Sequence, residues 1–201
     1  MLARIRAALV VRPAPVAPPR DYRHGGSLER RAVLARFTGR LADYGATVVV
    51  AGGDPAGAAD EALAAAGARR VGVAPDLPGA LRPGAVELVL DEGLPPSTLD
   101  ALDGALTTCA AACADTGTIA LDGGPGQGRR ALTLVPDLHV CVVRADQVVE
   151  TVPELVARLE PAAREGRPIV LVSGPSATSD IELERVEGVH GPRRLVVVLV
   201  P

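Results

Sequence analysis

Twenty residues near the C-terminus, Ser173 to Pro192, hold most of the polar chemistry in an otherwise apolar stretch of chain. Hydroxyls stand at Ser173, Ser176, Thr178 and Ser179, carboxylates at Asp180, Glu182 and Glu184, and an imidazole at His190. Carboxylates beside an imidazole can share general acid–base work. Hydroxyls beside glycine amides can receive an anion. Asp180, Glu182 and His190 are accordingly the catalytic candidates here. His190 sits between Gly188 and Gly191-Pro192, a turn in which an imidazole has little packing role. A structural account runs alongside. Ser179-Asp180-Ile181-Glu182 fits a capping box, with Ser179 capping a helix and Asp180 in a first turn that favours an anion. Gly174-Pro175 is a strand terminator.

A second polar block runs from Cys109 to Arg130 and contains Asp115-Thr116-Gly117-Thr118. Asp-Thr-Gly is the tripeptide of aspartic proteases, but those need two such carboxylates sharing a proton, and only one is present. An aspartyl-phosphate site would need Asp-Lys-Thr-Gly, and the chain has no Lys. Gly123–Arg129 is glycine-rich without being a Walker loop or Gly-x-Gly-x-x-Gly; it fits a flexible loop or turn, with a mobile lid as the alternative. Cys109 and Cys113 can share a helix face, yet three cysteines without Cys-x-x-Cys cannot supply a four-Cys iron–sulfur site, so no metal is expected on this chain. Cys141 lies in an apolar run and reads as core. His139, at the head of that run, is either a hydrogen-bonded structural histidine or a base.

The elements that must position these residues follow from periodicity. Apolar runs at Thr47–Ala51, Arg70–Val73, Val86–Leu90, Ile119–Leu121, Leu138–Val143, Ile169–Val172 and Leu195–Val200 predict strands. A helical stripe runs from Ser27 to Tyr44 and stops at Gly45. Asp54-Pro55 opens an Ala-rich helix ending at Gly67. Leu94–Leu102 holds at most a short helix, and Thr151–Glu154 is a capping box opening a helix through Leu159. Strands that are apolar throughout, alternating with helices, predict an α/β fold with a mostly parallel sheet covered on both faces. Residues 1–22 form an N-terminal helix candidate and a Pro-rich arm, which either docks on a partner or a second copy or frays; residues 23–201 form a single domain.

Composition removes several function classes. With 201 residues, 48% hydrophobic, one Phe, two Tyr and no Trp, the core is aliphatic. Few aromatics and a net charge of −3 argue against nucleic acid. All 21 basic residues are Arg, so a Schiff-base or Ser–Lys mechanism is excluded. No apolar run approaches the ~18 residues of a membrane span, and no signal peptide is visible, so a cytoplasmic location is expected.

The two polar blocks also carry a family resemblance. Gly174-Pro175-Ser176-x-Thr178-x-Asp180-Ile181-Glu182 followed by Gly188-Val189-His190-Gly191-Pro192, with Ala114-Asp115-Thr116-Gly117-Thr118 and Leu134-Val135-Pro136-Asp137-Leu138-His139 upstream, is similar to the pattern of the lactate-utilisation protein C family, the LUD domain. The match covers roughly Gly104–Val200, and it departs from the family at Ala177, where Arg is common. The resemblance implies an α/β/α sandwich related to NagB/RpiA/CoA transferases, with loops at strand C-terminal ends building the site. The Asp115–Thr118 and Gly174–Thr178 loops are then expected to face one cleft. Gly117 and Gly174 would offer amides, Thr116, Thr118, Ser176 and Thr178 hydroxyls, and Arg129 or Arg130 the cation, for an organic acid or phosphate. It further implies an accessory subunit of an L-lactate-oxidising system, with iron–sulfur clusters on partner subunits and none on this chain. Two alternatives stand beside it. One is a stand-alone isomerase or acyl/CoA transferase using Asp115 or Glu182; the other is an organic-acid-binding protein.

Overall fold

The computed structural model describes residues 1–10, 16–178, 186–188 and 191–201. Its centre is a six-stranded sheet of β1 (Thr47–Val50), β2 (Arg70–Val73), β3 (Glu87–Leu90), β4 (Gly104–Thr107), β7 (Leu138–Arg144) and β12 (Arg194–Val200), in the order β1-β12-β7-β4-β2-β3. Every pairing in it is parallel. A second sheet, of order β8-β5-β6-β9, contains β5 (Ala111–Cys113), β6 (Thr118–Leu121), β8 (Val148–Val149) and β9 (Val170–Val172). There β5 with β6, and β6 with β9, run antiparallel. A short antiparallel pair joins β10 (Ala177–Thr178) to β11 (Val186–Glu187).

Burial on both faces explains why the central strands lack polar alternation. On β12, Leu195, Val197 and Leu199 turn to one cluster, and Val196 and Val198 to another. The first cluster takes Val33, Phe37 and Leu41 of α2 (Arg30–Asp43) together with Ile119 and Leu121 of the second sheet. The second takes Ala58, Ala59, Ala62 and Leu63 of α3 (Pro55–Ala65). The outer face of the second sheet is closed by Leu155 and Leu159 of α5 (Val152–Arg164). The result is an α/β/α sandwich with a small sheet set between the central one and α5. Short α4 (Pro96–Asp100) buries Leu99 near β4.

Local signals act largely as their chemistry dictates. Asp54 accepts from the Gly57 amide at 2.9 Å and starts α3. Thr151 and Glu154 close a capping box on α5. That helix continues past Leu159 to Arg164 with Pro161 inside it. α2 begins at Arg30 rather than Ser27, because the buried Glu150 carboxylate takes the Leu28 amide at 2.7 Å and holds it outside the helix. β4 and β5, absent from the expected elements, are alanine- and glycine-rich. α1 (Leu2–Ala8) buries none of its residues and leaves Leu2 and Ile5 exposed, as is Leu9 just after it. No helix among the described residues is long and apolar enough to cross a membrane.

Candidate functional site

The second sheet brings the two polar blocks together. Asp115-Thr116-Gly117 forms the tight turn between antiparallel β5 and β6, and Ser173-Gly174 leaves the end of the neighbouring β9. The Thr118 hydroxyl lies 2.7 Å from the Thr116 hydroxyl and 2.7 Å from that of Ser173, a three-hydroxyl chain across the strands. Both glycines are required where they stand. Gly117 has φ +60 and a Cβ there would lie 2.7 Å from the Arg40 Cβ; Gly174 has φ +85 and its Cβ would meet that of Tyr44 at 2.6 Å. These left-handed turns let both loops close on the C-terminal end of α2.

The loops nevertheless open to different spaces. Thr116 and Asp115 border a shallow hollow with Arg40, Asp43 and Tyr44. Ser173, Gly174 and Ser176 instead line a cavity of about 290 Å³ with Arg130, Thr133 and His139. This cavity lies at the end where β7 and β12 begin, since His139 pairs with Leu195 in register and both line it. The C-terminal ends of the central parallel strands, where the fold relationship put the site, are at the other edge. Among the described strands, only β9, in the second sheet, delivers its C-terminal end to this cavity.

His139 is its floor. The ring is 2% exposed, and its Nε2 shares a 2.8 Å hydrogen bond with the Thr107 hydroxyl. Its Nδ1 has no hydrogen-bond partner among the described residues. Burial, then the nearby positive charge of Arg130, lowers its pKa from 6.5 to about 4, so the imidazole is neutral at pH 7. Arg130 stands at the rim, donating from Nη1 to the carbonyl and hydroxyl of Thr133 at 3.0 Å each. It makes no ion pair among the described residues. Partial burial lowers its pKa, yet it stays a cation. A neutral donor–acceptor ring beneath a guanidinium with no ion pair among the described residues, edged by hydroxyls, suits a small anion carrying a second polar group.

The other sequence candidates are placed as follows. Arg129 is committed elsewhere. Its Nε and Nη2 grip the buried Asp91 carboxylate at 2.9 and 2.8 Å, and Nη2 also donates to the Leu94 carbonyl. Burial pushes the Asp91 pKa up, but Arg129 and the Leu94 and Gly93 amides outweigh it and hold the carboxyl below its ordinary value. Asp115 is gripped by Arg36 at 2.5 Å and approached by Arg23 at 3.6 Å. Arg36 also reaches Glu150, at 3.8 Å. The Ser176 amide donates to Pro192 O at 2.8 Å, which ties the Gly174 loop to the chain entering β12. Thr178 contributes its backbone to the pairing with Val186. Asp180, Glu182 and His190, with the helix expected to start at Ser179, lie outside the described residues. Two residues lining the cavity had no role assigned from sequence as a pair: His139 and Arg130 are nine positions apart and meet only because the Arg130–Thr133 turn leads back into β7. Cys109, Cys113 and Cys141 are all buried, and no group of three metal-ligating side chains occurs among the described residues.

Comparison with known proteins places this geometry. The family model of the LUD domain matches residues 97–200. Lactate utilization protein C of Deinococcus radiodurans is 46% identical over 204 residues, which span 100% of this chain and 93% of that protein. Lactate utilization protein C of Bacillus pumilus is 38% identical over 91 residues, 43% of this chain and 38% of that protein. A crystal structure of a DUF162 family protein from Deinococcus radiodurans superposes with a TM-score of 0.76 at 41% identity, covering 87% of this chain and 100% of that one.

Proposed function

This chain belongs to the LUD domain family, and on that premise we propose that it serves lactate utilisation as an accessory subunit, holding a small organic acid in the cavity between His139 and the Gly174 loop. The observation that carries the proposal is the pairing of a neutral, buried His139 with Arg130, which makes no ion pair among the described residues, in one cavity. A guanidinium recognises a carboxylate, and a ring nitrogen above pH 5 can bond the adjacent hydroxyl or keto oxygen of a 2-hydroxy or 2-oxo acid. Electron transfer is assigned to iron–sulfur partner subunits. Asp180 and His190 are proposed to complete the site from the Ser176–Pro192 segment.

The test is genetic and biochemical together. Arg130→Gln is expected to abolish growth on L-lactate while the variant still folds cooperatively and still co-purifies with iron-containing partners. Removal of one charge-assisted contact weakens binding by roughly 10- to 150-fold, from about 1.5–3 kcal/mol. An isolated chain that oxidises L-lactate unaided, or an Arg130→Gln strain that grows normally, overturns the proposal.

A further inference from the structure

A second cleft, of about 370 Å³, opens at the opposite edge of the central sheet, at the C-terminal ends of β4 and β7. The direction of winding reverses between β2 and β4, since β2 leads to its neighbour β3 on one side while β4 leads to β7 on the other, and the chain after β2 brings Pro78 and Leu81 into the cleft. Crevices at such a switch point are where open parallel sheets receive ligands, because both departing loops leave the strand ends uncovered. The proposed organic-acid cavity does not use it.

The cleft is built from preformed parts. One wall is the Asp122–Gly128 loop, in which Gly123, Gly126 and Gly128 take φ +68, +72 and +68. Its hydrogen bonds hold it still. Gln127 donates to Asp122 Oδ1 at 2.8 Å and accepts from the Asp122 amide at 2.8 Å, while the Thr108 hydroxyl donates to Pro125 O and the Thr108 amide to Gly126 O. A Cβ on Gly126 would lie 2.9 Å from Thr108 Cγ2, so glycine lets this loop seat on the end of β4. The glycine-rich stretch is thus an internally hydrogen-bonded turn that forms one wall of the cleft.

The charge is on the facing side. Arg144 and Arg158 both converge on Asp146: Arg144 holds its carboxylate at 3.0 and 3.2 Å, and Arg158 donates to its carbonyl at 2.8 Å. Arg30 adds a third positive field to the same carboxylate. Asp122, on the loop side, is already matched by Arg167 at 2.7 Å. Cys109 at the floor keeps its proton, since the Cys141 thiol beside it and its burial both push its pKa up. Among the described residues Arg158 is then the cation of the lining with no carboxylate partner, beside the Asp146-bound Arg144, and Pro78, Leu81 and Pro125 supply apolar lining.

We propose that this cleft binds an organic phosphate, its phosphate held by Arg144 and Arg158 and its apolar body resting on Pro78, Leu81 and Pro125. With the Nε and Nη2 of Arg144 on the Asp146 carboxylate and the Nη1 of Arg158 on the Asp146 carbonyl, the Nη1 of Arg144 and the Nε and Nη2 of Arg158 are left to meet the three oxygens of a phosphate. The volume suits a small molecule rather than a bare ion.

Calorimetric titration of the full chain with phenyl phosphate, and with phenol and inorganic phosphate as separate arms, tests this. Phenyl phosphate is expected to bind saturably and at least roughly tenfold tighter than either fragment. Arg158→Gln and Arg144→Gln should each weaken it about tenfold, whereas Asp146→Asn, which removes the competing carboxylate, should tighten it several-fold. That gain is one a misfolded variant does not imitate. Arg130→Gln should leave it unchanged. No saturable binding of phenyl phosphate overturns the site. Binding that survives loss of both arginines, or that is lost in Arg130→Gln, overturns its location. Equal binding of inorganic phosphate overturns the ligand class.

Discussion

Replacing His139 should remove a specific part of the protein's sensitivity to acid. In the folded chain this imidazole titrates at about 4 instead of 6.5. It is a base whose folded pKa is depressed, so the unfolded chain takes up a proton that the folded chain refuses. Its stabilising effect is complete above about pH 6.5 and is lost as the pH falls toward 4. At 1.36 kcal/mol per pH unit, the loss is about 2 kcal/mol between pH 7 and pH 5 and about 3 kcal/mol by pH 4. The ring is 2% exposed, so little of this is screened by solvent. For a chain of this size, 2 kcal/mol lowers Tm by roughly 4–8 °C. Urea unfolding of the wild type and His139→Gln at half-unit pH intervals measures it. The glutamine amide can still reach the Thr107 hydroxyl without titrating. The difference between the two stabilities should shift by about 2 kcal/mol between pH 7 and 5. Lactate should flatten the wild-type dependence, because an anion at Arg130 favours the imidazolium. Parallel curves for the two proteins would refute the buried, neutral histidine and the cavity chemistry resting on it.

Two further expectations concern the scaffold of the site. Gly174→Ala combines a left-handed φ of +85 with a contact 2.6 Å from Tyr44 Cβ and should cost about 2–5 kcal/mol, while Gly45→Ala, at φ +82 with nothing within 4 Å, should cost about 1 kcal/mol. Equal losses in thermal unfolding would mean that the approach to α2 is not what demands glycine. Arg36→Met leaves Asp115 only the more distant Arg23 and leaves the 6%-exposed Glu150 carboxylate without a cation, and should destabilise by about 1–3 kcal/mol. Arg40→Met, which breaks only an exposed 3.5 Å pair with Asp43, should fall within about 0.5 kcal/mol of wild type in the same denaturant titration.

Strands carried by β-branched runs were legible in the sequence: Thr47–Val50, Leu138–Arg144 and Arg194–Val200 all stand where apolar continuity puts them. Gly104–Thr107 and Ala111–Cys113 were not, because alanine and glycine signal neither strand nor helix until neighbours bury them. Periodicity also cannot sort strands between sheets. Ile119 and Leu171 read like the central strands, yet they belong to the antiparallel layer, and that assignment decides which loops meet. The contact between Thr118 and Ser173 brings the two polar blocks together, but not into the one cleft expected of them, since Thr116 and Ser176 line different spaces. Their hinge on α2, through Arg40 and Tyr44, had no sequence mark. Arg129 and Arg130 are indistinguishable in sequence; only the Arg130–Thr133 turn sends one to Asp91 and the other to the cavity.

The order of strands has a consequence for synthesis. Among the described residues β1 finds its sheet partner only in β12, roughly 140 residues later. At ribosomal speeds of about 5–20 residues per second, a segment reading Thr-Val-Val-Val waits about 7–30 s with its backbone unpaired. Over that interval the nascent chain presents an aliphatic ribbon to anything able to zip onto it, including another nascent copy. Emergence of β12 from the ribosome, which lets that strand slot between β1 and β7, is what removes that hazard.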